Sequence, residues 1–287
     1  MRDIDVEAEI IPRNLHFNIS KNPKRHWFGG DPISTAAIDC LSILLPAGER
    51  HFIRSLRHYV GKMDDPVLDA EITGYSRQEA FHTREHEDYN KALRDLGYDV
   101  DTMESPIASA LDIRKRPFDR LLITCAIEHI TATFSLVTLR NPEIMAGAEM
   151  SHRRLWMWHA LEELEHQAVA LDVLHAATKD MPGWKRYLLR TGMMNVVACW
   201  FLALQTRNVM KYARADGEKI GFNFWRRNLW MSLGKPGLLR LSVGPFLRYF
   251  IPGFDPRKQG TEKYIEQGRA WIDHEVNAVP DTTITVG

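Results

Sequence analysis

From Ser34 onward, apolar residues recur at intervals of three and four, the period of helices that bury one face. Breakers cut this pattern into segments. A helix beginning near Ser34 meets Pro46 and Gly48, where a kink or a break is expected, and a second piece runs from Pro46 to about Lys62. Asp64 or Asp65 can cap the next helix, with Pro66 in its first turn and Gly97 after its last residue, about Leu96. A polar connection from Tyr98 to Ser105 precedes a short helix to Arg116. A long apolar helix covers Phe118–Arg140, and Asn141-Pro142 separates it from one running to about Thr178. The near-continuous apolar run Tyr187–Arg207 is short for a bilayer span, which needs about 20 apolar residues, and reads as a buried fifth helix. A final helix covers Gly260–His274. The expected class is all-α: an arm over residues 1–33 pinned by Phe17, Trp27 and Phe28, one helical domain over 34–276 (a bundle over 34–179, an extension over 180–276), and a disordered tail over 277–287.

Composition narrows the function. Lys plus Arg and Asp plus Glu are 37 each, so no charge excess argues for nucleic acid, and none is expected as a partner. Cys40, Cys125 and Cys199 are widely spaced, without a C-x-x-C pair, and read as buried free thiols in a reducing compartment. Met1–Ile11 is acidic and lacks the basic start and apolar core of a secretory signal, which places the chain in the cytoplasm. Residues 222–254 mix Trp225, Trp230 and Phe246 with Arg226, Arg227 and Arg240; they suit a lid over a site or contact with a membrane surface or lipid-like substrate.

The chemistry concentrates in W-H-A-L-E-E-L-E-H, Trp158–His166. At roughly 100° per residue, His159, Glu163 and His166 share one helix face within about 60°. Glu162 lies at its edge and Glu165 points away, as orienting or solvated carboxylates. Glu79 and His82 share a face with Tyr75 and, one turn on, with His86, which suits either a ligand or an exposed polar stripe. Glu49 lies on an apolar face with Phe52 and Leu56, where a charge is costly unless paired or bound to metal. Glu128 is surrounded at helical spacing by the small Thr124, Cys125, Thr131, Ala132 and Ser135, which leave room for a substrate, for oxygen or for a neighbouring helix. His129 is rotated away; Asp172 and His175 are structural.

One Glu from each of two helices, and a Glu-x-x-His from each of two others, is the ligand set of two-metal carboxylate bundles. Spacings of about 30 residues allow one helix and its turn, and the longer gap from Glu79 to Glu128 suits a crossover. Carboxylates and imidazoles together favour iron over magnesium or calcium, with manganese or zinc as alternatives.

G-E-R-H-F (Gly48–Phe52), Q-E-A-F-H (Gln78–His82), A-I-E-H (Ala126–His129) and W-H-A-L-E-E-L-E-H resemble the ferritin-like superfamily. Over residues 10–275 the chain resembles the bacterial family described as predicted metal-dependent hydrolases. On the ligand helices alone it is similar to the di-iron arylamine N-oxygenases, which carry a further His four residues before the last Glu. The resemblance implies a ferritin-like four-helix bundle with additional C-terminal helices. It also implies two iron ions on Glu49, Glu79, His82, Glu128, His159, Glu163 and His166, the four carboxylates doubling as catalytic groups; His86 lies outside its pattern. The expected function is an oxygen-dependent oxidase or oxygenase acting on a small organic molecule with O2 and an electron donor. The alternatives are a metal-dependent hydrolase using a metal-activated water and a non-catalytic iron-binding bundle. A homodimer is open.

Overall fold

The computed structural model describes residues 10–235, 237–278 and 285–286. The acidic start of the chain, residues 1–9, and most of the tail, residues 279–284 and 287, lie outside them. The described residues are all-α apart from a two-residue strand pair. The helices are α1 (Pro32–Arg57), α2 (Pro66–Asp95), α3 (Val100–Ile113), α4 (Pro117–Arg140), α5 (Met150–Glu165), α6 (Val169–Ala177), α7 (Gly183–Ala215), α8 (Phe222–Leu233), α9 (Leu238–Arg248) and α10 (Glu262–Ala278). Asp31, Asp65 and Asp99 cap α1, α2 and α3 by accepting from the backbone N–H of Ser34, Leu68 and Thr102. Pro32, Pro66 and Pro117 occupy first-turn positions, where the missing N–H is harmless.

Several expected boundaries move. The helix signal interrupted at Pro46 is one helix, because another chain segment takes over the lost bond. The Ser42 carbonyl, which an N–H at position 46 would have met, instead accepts from Asn90 Nδ2 at 3.1 Å. Pro106 likewise sits inside α3, whose Thr102 carbonyl accepts from Arg207 Nη2 at 3.2 Å. With Asp99 as cap, α3 therefore starts at Val100 and includes most of the expected polar connection. The C-terminal part of α1 stops at Arg57, short of Lys62, and Gly61 follows in the left-handed region at φ 70°. The helix expected to reach Thr178 is broken after Glu165 and resumes at Val169, so His166 caps α5 instead of lying within it. In the tail, α10 runs to Ala278, and Thr285–Val286 (β2) pairs antiparallel with Leu15–His16 (β1).

α1 packs along α2, α2 touches α5, α5 packs along α4, and α4 touches α1, closing a ring of four. Buried apolar residues form two clusters. One gathers Ile33–Ile43 of α1, Tyr89–Leu93 of α2 and Trp158 of α5. The other gathers Leu44–Leu56 of α1, Leu68–Tyr75 of α2, the first half of α4 and α6. The arm belongs to the first cluster. Phe17 stands 5.2 Å from the Trp158 ring, and Trp27 Nε1 donates to the buried Asp39 at 2.8 Å. Helix α7 departs from its expected burial. It is longer than Tyr187–Arg207, and only one face packs on α1 and α4, while Trp184, Leu188, Val196 and Leu202 are exposed. Cys199 is on that open face; Cys40 and Cys125 are buried as expected. Helices α4 and α7 are each long and apolar enough to cross a membrane, although α4 is mostly buried in the protein.

Candidate metal centre

At the junction of the two apolar clusters, α1 supplies Glu49, α2 supplies Glu79, His82 and His86, α4 supplies Glu128, and α5 with its cap supplies His159, Glu163 and His166. All eight are buried. Helical repeat explains the convergence, since positions three and four apart stack on one face. The seven expected residues are thus brought together. His166 Nε2 lies 3.2 Å from Glu79 Oε1 and 3.6 Å from both Glu128 Oε2 and Glu163 Oε2. His159 Nε2 lies 3.3 Å from Glu163 Oε1, and His82 Nδ1 lies 3.9 Å from the same oxygen. Overlapping triads, each with donor atoms within 4.8 Å, are formed by Glu79, Glu163 and His166; by His82, His159 and Glu163; by Glu49, Glu79 and His82; and by Glu49, His86 and His159.

Each imidazole is aimed inward by its other nitrogen. Gln78 Nε2 donates to Glu165 Oε2 at 2.9 Å, and a carboxylate only accepts, so Gln78 Oε1 faces His166 Nδ1 at 3.0 Å. His166 therefore carries a proton on Nδ1 and presents Nε2 to the carboxylates. His82 Nε2 faces Glu162 Oε2 at 3.2 Å, leaving Nδ1 toward Glu79 and Glu163. The third case starts at Pro46. Asn90 gives its NH2 to the Ser42 carbonyl, so its Oδ1 accepts from Ser42 Oγ at 3.1 Å. Ser42 Oγ must then accept from His86 Nδ1 at 3.0 Å, and His86 Nε2 must accept from His159 Nδ1 at 3.2 Å. The lone pair of His159 Nε2 is thereby turned to Glu163.

His86 is consequently no exposed stripe residue. It is fully buried, and Asn90 and Ser42, which the sequence reading passed over, hold it. Glu162 and Glu165 are not solvated either, because the arm and α10 cover that side. Arg13 donates to Glu162 at 3.2 Å and to both oxygens of Glu165 at 2.9 and 2.8 Å. Arg269 Nε adds a bond to Glu165 at 2.7 Å. Leu161 stands 3.0 Å from where a Cβ on Gly268 would be, so this glycine permits the close approach of α10 that delivers Arg269. Tyr75 OH donates to Glu128 Oε1 at 2.5 Å, which leaves Oε2 facing the centre. His129 is satisfied away from the centre, 3.1 Å from the Phe246 carbonyl. Asp172 pairs with Arg257.

Burial pushes Glu49 and Glu79 well above the usual carboxylate range and Glu128 up to about 8. Burial acts the same way on Glu163, but the imidazoles of His159 and His166 outweigh it and hold that carboxyl well below the usual range. Desolvation pushes His82 and His86 down; His166, also buried, is raised by Glu163 and Glu128.

The donor set fits metal. Both oxygens of Glu49 and Glu79, Nδ1 of His82, Oε2 of Glu128 and Glu163, and Nε2 of His166 are buried without a hydrogen-bond partner. At about 1–3 kcal/mol for each unsatisfied buried group, these atoms together rival the ~5–15 kcal/mol net stability of a whole domain. Cations bound among them would remove that cost, and two divalent ions would balance the four central carboxylates.

Beside the centre lies an apolar cavity of about 310 Å³ that His159 and Trp156 border. Of the small residues expected around Glu128, Thr131 and Ser135 line it. Thr124, Cys125 and Ala132 are buried in the body, where Cys125 Sγ donates to the Ala170 carbonyl at 3.2 Å.

These features define an all-α protein with several buried candidate metal-ligand clusters. The chain belongs to the family described as predicted metal-dependent hydrolase, whose sequence model matches residues 11–260. Searches of curated proteins and of solved structures find no match.

Proposed function

We propose that the chain is a two-metal hydrolase with a ferritin-like ligand bundle, cleaving an ester or amide whose apolar part occupies the cavity beside the centre. One observation carries the two-metal reading: four carboxylates and three imidazoles converge in a buried space, and inner atoms of Glu49, Glu79, Glu128, Glu163, His82 and His166 have no hydrogen-bond partner there. Membership of a family described as predicted metal-dependent hydrolase favours hydrolysis. Glu79, Glu128, Glu163 and His166 would hold one ion, and Glu49, His82, His159 and the shared Glu163 the other. When bound, such ions polarise a substrate carbonyl and lower the pKa of a bound water toward neutrality.

The chain's own groups fix the geometry. Gln78 keeps the proton on His166 Nδ1, Glu162 aligns His82, and the Asn90–Ser42–His86 series keeps the proton on His159 Nδ1. Tyr75 holds Glu128 in one rotamer. His86 is thereby a positioning residue for His159. The apolar wall, including Phe52, Ile127 and Trp200, excludes bulk water and receives the substrate's hydrocarbon portion.

A second reading, the two-iron oxidase or oxygenase that uses O2 and an electron donor, is favoured by the three central imidazoles beside an apolar cavity. Metal analysis together with assays on the loaded protein separates the two. The hydrolase reading expects two ions per chain and cleavage of aryl esters without oxygen uptake. Oxygen uptake by the reduced protein without ester or amide cleavage would reverse the assignment, and fewer than one ion per chain after reconstitution would end both readings.

A further inference from the structure

Thirteen of the eighteen exposed large apolar side chains among the described residues lie between Trp184 and Ile251. Each of three helices there presents a stripe. On α7, Trp184, Leu188, Val196 and Leu202 face outward, and no charged residue occurs from Thr191 to Thr206. On α8, Phe222, Trp225, Leu229, Trp230 and Leu233 follow helical spacing on the open side, with Phe222 83% exposed and Trp230 67%. On α9 and just past it, Leu239, Val243, Leu247 and Ile251 recur every fourth residue. A helix facing water carries charges on that side, and exposed apolar residues normally occur singly.

Two further observations say what covers this face. First, the segment is basic in a chain that is neutral overall: from Lys219 to Phe254 it contains Lys219, Arg226, Arg227, Lys235, Arg240 and Arg248 and no acidic residue. Arg226, Lys235 and Arg248 are exposed. A second copy docked through the same face would bring these cations together, whereas anionic headgroups would neutralise them. Second, the face opens inward. A cavity of about 210 Å³ bordered by the exposed Leu202, Trp225 and Leu239 shares the walls Ile38, Leu41, Phe134, Ile144, Phe201 and Leu238 with the cavity at His159. The two cavities thus adjoin across a shared apolar wall, which marks an apolar route from the exposed stripe toward the metal centre.

We propose that the α7–α9 face lies in the interfacial layer of an anionic phospholipid bilayer, and that the centre acts on a long-chain acyl compound drawn from that bilayer through this route. The inner side of α7 packs on α1 and α4, so the helix lies along the surface instead of spanning it. Only the fate of the acyl compound rests on the proposed function; the docking does not.

Flotation with phosphatidylcholine vesicles, with and without phosphatidylglycerol, tests the docking. The full chain is expected to float with the anionic vesicles, less so at high salt. Leu229→Glu with Trp230→Glu, both at exposed positions, is expected to weaken partitioning about tenfold or more while metal content and helicity stay unchanged. A chain that stays unbound with both vesicle types overturns the docking, as does a double variant that floats equally well. So does a wild-type dimer that the double variant converts to monomer. The route is tested with cis-parinaric acid, a fluorescent long-chain fatty acid: Leu238→Trp narrows the shared wall and is expected to weaken binding about tenfold, a 1.4 kcal/mol difference, with flotation unaltered. Undiminished binding overturns the route. Flotation reads neither metal nor turnover, so a chain that floats but holds no metal would contradict the proposed function alone.

Discussion

Replacing Ser42 by alanine removes a single oxygen, and its consequence should appear at one metal and not the other. Ser42 Oγ accepts from His86 Nδ1 at 3.0 Å, and this bond leaves His86 Nε2 free to accept from His159 Nδ1 at 3.2 Å. Without the oxygen, His86 has two choices. It can keep its Nδ1 proton unpaired in a fully buried site, at about 1–3 kcal/mol. Otherwise it moves the proton to Nε2, where it opposes the proton on His159 and drives that one onto the nitrogen facing Glu163. Either way the His159 lone pair is less available, and losing an orienting partner of this kind costs about 10–100-fold in metal affinity. The opposite end, where Gln78 aligns His166, meets this series only at Glu163, through its other oxygen. Titration against a chromophoric chelator is therefore expected to become biphasic, with one ion weakened by that factor and the other unchanged. Equal affinity of both ions for Ser42→Ala and wild-type protein, or equal loss of both with helicity intact, would refute the reasoning.

Gln78→Leu is the mirror case: it should weaken the ion at Glu79, Glu128 and His166 by about 10–100-fold and spare the His159 end, read in the same titration. His159→Ala should lower metal content to about one ion per chain, whereas His86→Ala should retain two ions with one bound more weakly; elemental analysis of the two variants checks this ordering. Asn90→Leu should destabilise the fold by about 1–3 kcal/mol in urea denaturation, because the Ser42 carbonyl freed by Pro46 loses its partner. The pH dependence follows from Glu128, which burial raises to about 8 from an ordinary value near 4.5. In the metal-free protein this group contributes stability that is fully present below about 4.5 and lost as pH rises through about 8. Metal requires the deprotonated form. The difference in Tm between loaded and chelated protein is therefore expected to widen from about pH 6 to 9, and a narrowing gap would contradict the assignment.

The inner faces of the helices were legible because helical repeat is local: Glu79 with His82, and His159 with Glu163 and His166, fall together from spacing alone. Their orienting partners were less so. Arg13 meets Glu165 across 152 positions and Arg269 meets it across 104, separations that no periodicity encodes. Pro46 signals a break in any local reading, and only Asn90 on a neighbouring helix makes continuity possible. The interruption at His166 carries no proline or glycine signal. Composition also cannot separate an apolar helix packed on every side from α7, which buries one face and exposes the other.

The central claim is that two ions occupy the space between α1, α2, α4 and α5. Anomalous diffraction from crystals of reconstituted protein, collected at the absorption edge of the bound metal, tests it most directly. Two peaks per chain are predicted, one among Glu79, Glu128, Glu163 and His166 and one among Glu49, His82, His159 and Glu163. No peak within the bundle, or a lone peak at the surface, would contradict the account.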